Sequence, residues 1–208
     1  MRHAVVCRRP FVQIKLQSII NEKTMDKTAR TELHRTFLIE QLPEPLTRAS
    51  AHIQIFDNYV SNTRIRLRSV RDPESRAWTH ILQQRTHADG AVYRTKLSEI
   101  YLNEQEYERF QIFEGSEIRK NRYFHEFDGR VFGFDVYIGG LWGLNTARVE
   151  FEDETELMAY EPPPFAVFDV SNDAFFLGEN LVTKTFADIQ AEVAKMGEPA
   201  TIKRAATE

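Results

Sequence analysis

The chain has 208 residues, 42% of them hydrophobic and 28% charged, a composition that fits one globular domain with a sizeable core and excludes a disordered chain. Its 27 basic and 31 acidic residues leave a formal net charge of -4, so composition gives no argument for nucleic acid or an acidic membrane surface, and any anion site must come from local clustering of Arg and Lys. The single cysteine, Cys7, excludes an intrachain disulfide and a cysteine zinc cluster and fits a reducing, cytoplasmic setting, while no apolar run approaches the ~20 residues that span a bilayer.

At the N-terminus, Arg8-Arg9-Pro10 precedes an apolar stretch, Phe11 to Ile20, that Lys15 and glutamines interrupt. It makes a poor signal peptide. Residues 1–24 are expected to be a peripheral or poorly ordered extension, 25–197 the domain, and 198–208 a flexible tail.

Thr31 to Ile39 alternates with period two, the mark of a strand with two different faces. Glu32, His34 and Thr36 share one face; Leu33, Arg35 and Phe37 share the other. Gln41-Leu42-Pro43-Glu44-Pro45 reads as a loop, because two prolines fix φ and remove donors. Ile53 to Val60 is the next strand. Arg64-Ile65-Arg66-Leu67-Arg68 then places three arginines on one face. Such a row can be a solvated outer face or a set of guanidinium groups aimed at phosphate oxygens. Arg64 and Arg66 are assigned inward, and Arg68 to the rim or surface.

Asp72-Pro73-Glu74 is a turn, Trp78 to Thr86 a strand, Asp89-Gly90 a hairpin signal and Tyr93 to Tyr101 the returning strand. Asn103 followed by Glu106 reads as the start of a helix running to about Glu114 and closed by Gly115. Tyr107, Phe110 and Phe113 fall at helical spacing and are assigned to packing. Ile118 to Tyr123 and Val131 to Tyr137 form a further hairpin around Asp128-Gly129. Asp135 stands among Phe, Val and Tyr, so it needs a cation, a metal or water beside it. Ala147 to Glu152 is the eighth strand. Glu161-Pro162-Pro163-Pro164 stops a helix begun at Asp153-Glu154. Phe186, Ile189, Val193 and Met196 mark one face of a terminal helix.

Many strands with charges of both signs two residues apart point to β-structure closed around a polar cavity. Several stretches resemble, in order, those of the CYTH superfamily (triphosphate tunnel metalloenzymes). Glu32-Leu33-His34-Arg35-Thr36-Phe37 resembles its opening Glu-x-Glu-x-Lys-Phe, with His34 for the second Glu and Thr36 for the Lys. Leu82-Gln83-Gln84-Arg85-Thr86 resembles Ile-Lys-Gly-Lys-Ser/Thr, and Ile118-Arg119-Lys120-Asn121-Arg122-Tyr123 resembles Ile-x-Lys-x-Arg-Tyr. Ala147-Arg148-Val149-Glu150-Phe151-Glu152 resembles Ala-Glu-Val-Glu-Leu-Glu, with Arg148 in place of the first acid.

The resemblance implies an α+β fold: an antiparallel β-barrel or tunnel of about eight strands with helices outside. It implies phosphate binding by Arg64, Arg66, Arg85, Lys120 and Arg122, and a Mg²⁺ or Mn²⁺ site drawn from Glu32, Glu99, Asp135, Glu150 and Glu152. Glu32 and His34 are the catalytic candidates, His34 as a ligand or base. The expected ligand is a small-molecule polyphosphate or organophosphate, with no nucleic-acid or membrane partner; a homodimer stays open. Two functions follow. One is a metal-dependent triphosphatase, with an adenylyl cyclase-like enzyme ranked lower because nothing identifies a base pocket. The other is a protein that holds a phosphorylated ligand or another anion without turning it over.

Overall fold

A computed structural model describes residues 27–88, 90–111, 113 and 115–197. The expected N-terminal extension and C-terminal tail lie outside these residues. Eight strands follow one another in antiparallel pairs: β1 (Lys27–Leu38), β2 (His52–Val60), β3 (Ile65–Arg71), β4 (Trp78–Ala88), β5 (Ala91–Leu102), β6 (Gly115–Phe127), β7 (Arg130–Ile138) and β8 (Asn145–Phe151). The sheet order is β5-β4-β3-β2-β6-β7-β8-β1, with a two-residue β9 (Phe168–Asp169) beside β1.

β1 closes the barrel. Its first half pairs with β5, from Lys27 opposite Ile100 to Leu33 opposite Arg94. Its second half pairs with β8, from Leu33 opposite Phe151 to Leu38 opposite Thr146. One long strand shared between the two ends of the sheet removes its free edges. The barrel expected from the alternating charges is therefore present, and the strand parity read for β1 holds: Glu32, His34 and Thr36 line its cavity.

The residues of opposite parity form the main apolar core, which lies outside the barrel wall. Phe37, Phe132, Phe134, Ala147, Val149 and Phe151 pack there with Leu157, beneath α2 (Glu154–Ala159). Asp153 caps α2, its side chain accepting from Glu156 N at 2.8 Å, and the prolines that follow carry Phe165 back over the aromatic layer. The Phe165 ring lies 5.4 Å from that of Phe132 and 5.3 Å from that of Phe134. Arg35, also facing outward, ties β1 to the end of α2 by donating from Nη1 to the carbonyls of Leu157 and Tyr160, both at 3.0 Å.

A second core closes one end of the barrel. Leu38, Ile118, Tyr137, Leu141 and Leu144 pack there against Leu181 of α3 (Gly178–Leu181) and Ile189 of α4 (Phe186–Gly197). Ile189 is buried, and Val193 and Met196 pack beside it as the periodicity of this helix requires. The Asp128-Gly129 hairpin has φ of 49° and 72°, two successive left-handed residues that match a two-residue turn between twisted strands.

The helix at 104–110 (α1, Glu104–Phe110) starts as read: Asn103 accepts from Glu106 N at 3.0 Å and its own N–H donates to Glu106 at 2.8 Å. Its aromatics are not core, however. No residue of α1 is buried, and Phe113 is 47% exposed. Tyr107 stacks on His80 on the barrel's outer surface, with ring centroids 3.7 Å apart. Helical spacing identifies a shared face but not what covers it.

The outer aromatic core makes a quantitative expectation. Phe134→Ala removes a fully buried ring and should destabilise the protein by about 3–5 kcal/mol. Urea unfolding measures this; a loss below about 1 kcal/mol would show that this layer is not a packed core.

Candidate functional site: a charged belt inside the barrel

The barrel encloses a cavity of about 670 Å³, lined by residues from all eight strands. A belt of hydrogen-bonded charges crosses it, and three clusters, each centred on one carboxylate, organise that belt. Asp57 of β2 accepts from Arg68 Nε at 2.6 Å and Nη2 at 2.7 Å, and from Arg66 Nη1 at 3.2 Å. Asp135 of β7 accepts from Lys120 Nζ at 2.6 Å and from Arg122 Nε and Nη2 at 2.6 and 2.7 Å. Glu32 of β1 accepts from Arg30 Nη2 at 3.0 Å and Arg148 Nη2 at 2.9 Å, with Arg85 Nη2 3.6 Å away.

A bridge joins the first cluster to the third. Arg66 Nε donates to Gln83 Oε1 at 2.8 Å, Gln83 donates to Glu99, and Arg30 Nη1 also donates to Glu99. Arg66 further donates to the Tyr59 hydroxyl at 3.0 Å. In this way β2, β3, β4, β5, β1 and β8 are joined through side chains across the interior.

Burial sets the electrostatics. Desolvation alone would raise the carboxyl groups of Glu32, Asp57 and Asp135; the cations around each outweigh it and hold all three far below the usual carboxylate range. Desolvation lowers Lys120 to about 8, with Asp135 opposing and Arg122 adding to the fall. It also lowers Arg85 to about 9, helped by Arg66 and Arg148 and opposed by Glu32. Burial, then Arg148 and Arg85, push His34 well below its ordinary value, so its imidazole is neutral at pH 7. His34 is 5% exposed, and its Nδ1 has no hydrogen-bond partner among the described residues.

Within the belt, six cations are buried or half-buried: Arg66, Arg68, Arg85, Lys120, Arg122 and Arg148. Four carboxylates, Glu32, Asp57, Glu99 and Asp135, are buried or half-buried with them. Six against four leaves an excess of two positive charges within the belt itself; the full cavity lining, its exposed rim included, holds eight cations and nine carboxylates, so the excess is local to the belt. Outside the belt Arg130 pairs with exposed Glu156, and Glu150, Glu152 and Glu179 are exposed where they line the cavity.

Most sequence-assigned site residues meet here: Glu32, His34, Arg66, Arg85, Glu99, Lys120, Arg122, Asp135, Glu150 and Glu152 all line the cavity. Arg64 does not, contrary to its inward assignment. β3 begins one residue later, and Arg64 sits exposed beyond the barrel wall, donating to the outward Thr86 hydroxyl at 3.2 Å. Arg68, assigned to the rim, takes an inward place instead. The three arginines share one parity, but the strand spans Ile65–Arg71, so it starts one residue and ends three residues later than the motif suggests. Arg30 and Asp57 were missed. Arg30 shares the parity of Glu32, and Asp57 shares that of Ile55 and Tyr59, so each was accessible to the same alternation.

The donor set does not fit a divalent cation well. Mg²⁺ and Mn²⁺ need several carboxylate or carbonyl oxygens converging with open lone pairs. Here Glu32, Glu99 and Asp135 are engaged by cationic or amide donors on both oxygens. No group of three or more His, Cys, Asp or Glu among the described residues converges on one metal position.

No family model matches the chain. It is similar to the inorganic triphosphatase of Nitrosomonas europaea, with 29% identity over 155 residues that cover 69% of this chain and 91% of that protein. A crystal structure of an inorganic triphosphatase superposes with a TM-score of 0.50 at 24% identity, covering 74% of this chain and 95% of the other. A second crystal structure of the same protein gives 0.51 at 24% identity, covering 74% and 99%. The closed eight-strand barrel is the fold of these structures. Among the described residues no helix is long and apolar enough to cross a membrane.

Lys120 supplies a pH-dependent expectation. Its folded value, about 8, lies below its ordinary 10.5. Between these values the folded chain holds fewer protons than the unfolded one, so this group makes stability rise with pH. The burial cost of the charged ammonium is fully present below pH 8 and is relieved above it. Lys120→Met should therefore flatten the pH dependence between 8 and 10.5, by at most roughly 1.4 kcal/mol per pH unit relative to wild type. Denaturant midpoints across this range test it; parallel curves for the two proteins would contradict the charged burial of Lys120.

Proposed function

We propose that the chain is a divergent CYTH-type tunnel protein that binds a linear triphosphate, or an organophosphate carrying one, and hydrolyses it. The observation that carries the reading is the excess of guanidinium and ammonium groups over carboxylates in the buried belt that crosses the cavity. Such groups repel each other when the tunnel is empty, and a polyanion relieves this while gaining charge-assisted hydrogen bonds. The similarity to an inorganic triphosphatase supports a triphosphatase-like function.

Phosphoryl transfer asks for positioning and for charge stabilisation on the transferred group and its leaving oxygens. Arg66, Arg85, Lys120, Arg122 and Arg148 supply fixed positive charge on opposed walls, and their acid partners hold them in place before the ligand arrives. A nucleophilic water needs a proton acceptor. His34 lines the cavity as a neutral imidazole with an unpartnered Nδ1; a polyanion bound at Arg148 and Arg85 would offset the cations that disfavour its imidazolium, and in that bound state it is the residue we assign to accept the proton. A second reading, retention of the phosphate ligand without turnover, draws on the same geometry, because the carboxylates that would hold a metal are engaged by cations.

Phosphate release from inorganic triphosphate, ATP and thiamine triphosphate separates the two. The expected result is release from at least one of these. His34→Gln should lower turnover by roughly 10²-fold with KM little changed, and Arg122→Met should raise KM. Binding without release from any of the three would leave the anion-binding reading. Release unaffected by His34→Gln would remove His34 from the chemistry.

A further inference from the structure

Arg148 occupies the position at which the resemblance calls for an acid, and the structure shows what the exchange does. Arg148 donates from Nη2 to Glu32 Oε2 at 2.9 Å, and its Nε lies 3.8 Å from Glu150 Oε1. A guanidinium thus stands between the two carboxylates that would otherwise be offered to a cation. Its Nε makes no hydrogen bond among the described residues and is shielded from solvent, so a bound anion would reach this donor only after a shift of the side chain. Any metal entering at Glu32 would have to displace Arg30 or Arg148 and would then face the remaining cations of the belt. Bringing a divalent ion toward uncompensated guanidinium groups in a low-dielectric site is strongly unfavourable.

From this geometry we infer that Arg148 is a built-in cation that takes the electrostatic place of a divalent metal, so that this tunnel binds triphosphate without one. The inference rests on the polyphosphate reading of the tunnel. A planar guanidinium suits the role because its several donors let it stay paired with Glu32 through Nη2 while, after a small shift of the side chain, another N–H meets a phosphate oxygen. Glu32 then acts as the positioning residue for Arg148, not as a metal ligand. Arg85, which lies 3.6 Å from Glu32, is the adjacent group on which the same polyanion would be neutralising.

Isothermal titration calorimetry of the full chain with inorganic triphosphate tests this, once with EDTA and once with Mg²⁺. Wild type should bind in EDTA with an affinity equal to, or tighter than, that in Mg²⁺, within about threefold. Arg148→Met should weaken binding in EDTA by about tenfold or more, the loss of one charge-assisted contact. Arg148→Glu should bind detectably only when Mg²⁺ is added. Circular dichroism checks that each variant folds; where Arg148→Glu does not, the wild-type comparison and Arg148→Met still decide. Wild-type binding that is lost in EDTA and restored by Mg²⁺ would overturn the inference while leaving the polyphosphate reading intact, and so would an Arg148→Met protein that binds in EDTA as tightly as wild type. Absence of wild-type binding in both buffers would overturn the inference together with the reading on which it rests.

Discussion

Everything in this tunnel depends on how four buried carboxylates are neutralised. An isolated Asp or Glu inside a barrel would take up a proton or unfold its surroundings. Here Glu32, Asp57, Glu99 and Asp135 each lie against at least one guanidinium, and the pairing works in both directions. The acids keep the cations charged and directed, and the cations keep the acids ionised. Breaking such a pair leaves an unpartnered charge, which is why a belt of this kind rigidifies an interior that apolar packing fills only in part.

The price of a charged interior is that most of the apolar core must lie elsewhere, with only a small buried cluster of Ile53, Ile55, Val70 and Phe124 along the cavity wall. β1 shows the division residue by residue: Glu32 and His34 face the cavity, while Phe37 lies in the layer beneath α2. The outer layer of Phe132, Phe134, Phe151 and Phe165, together with the end plug built from α3 and α4, supplies the hydrophobic burial that a conventional barrel obtains inside. Arg35 links the two systems, because its backbone belongs to the barrel wall while its guanidinium holds the end of α2. Rigid strands, in turn, fix the directions of the belt cations without requiring a ligand to order them.

Period-two alternation made most of the barrel legible, since an eight-strand sheet with two chemically different faces writes itself into the sequence at every strand. It also brought Glu32, His34, Arg66, Lys120, Arg122 and Asp135 to a common surface. What it lacked was the end of each strand. Arg64 obeys the alternation but lies before β3 begins, so local chain reversal, not parity, sends it outward. Partner choice was equally hidden. Glu32 and Asp135 look like metal ligands in one dimension; only the register that brings Arg148 beside Glu32, and Lys120 and Arg122 beside Asp135, shows their oxygens already engaged. The aromatics of α1 failed for a related reason, because a stripe at helical spacing packs only if something covers it.

The central claim is that fixed excess positive charge in the enclosed belt selects a polyanion. The most direct measurement is calorimetric affinity along the series orthophosphate, pyrophosphate, triphosphate at one pH and ionic strength. Successive phosphoryl groups should each engage further cations on the facing walls, so affinity should climb at both steps and weaken steeply as salt is added. Equal affinities across the series, or no binding at low salt, would contradict the account.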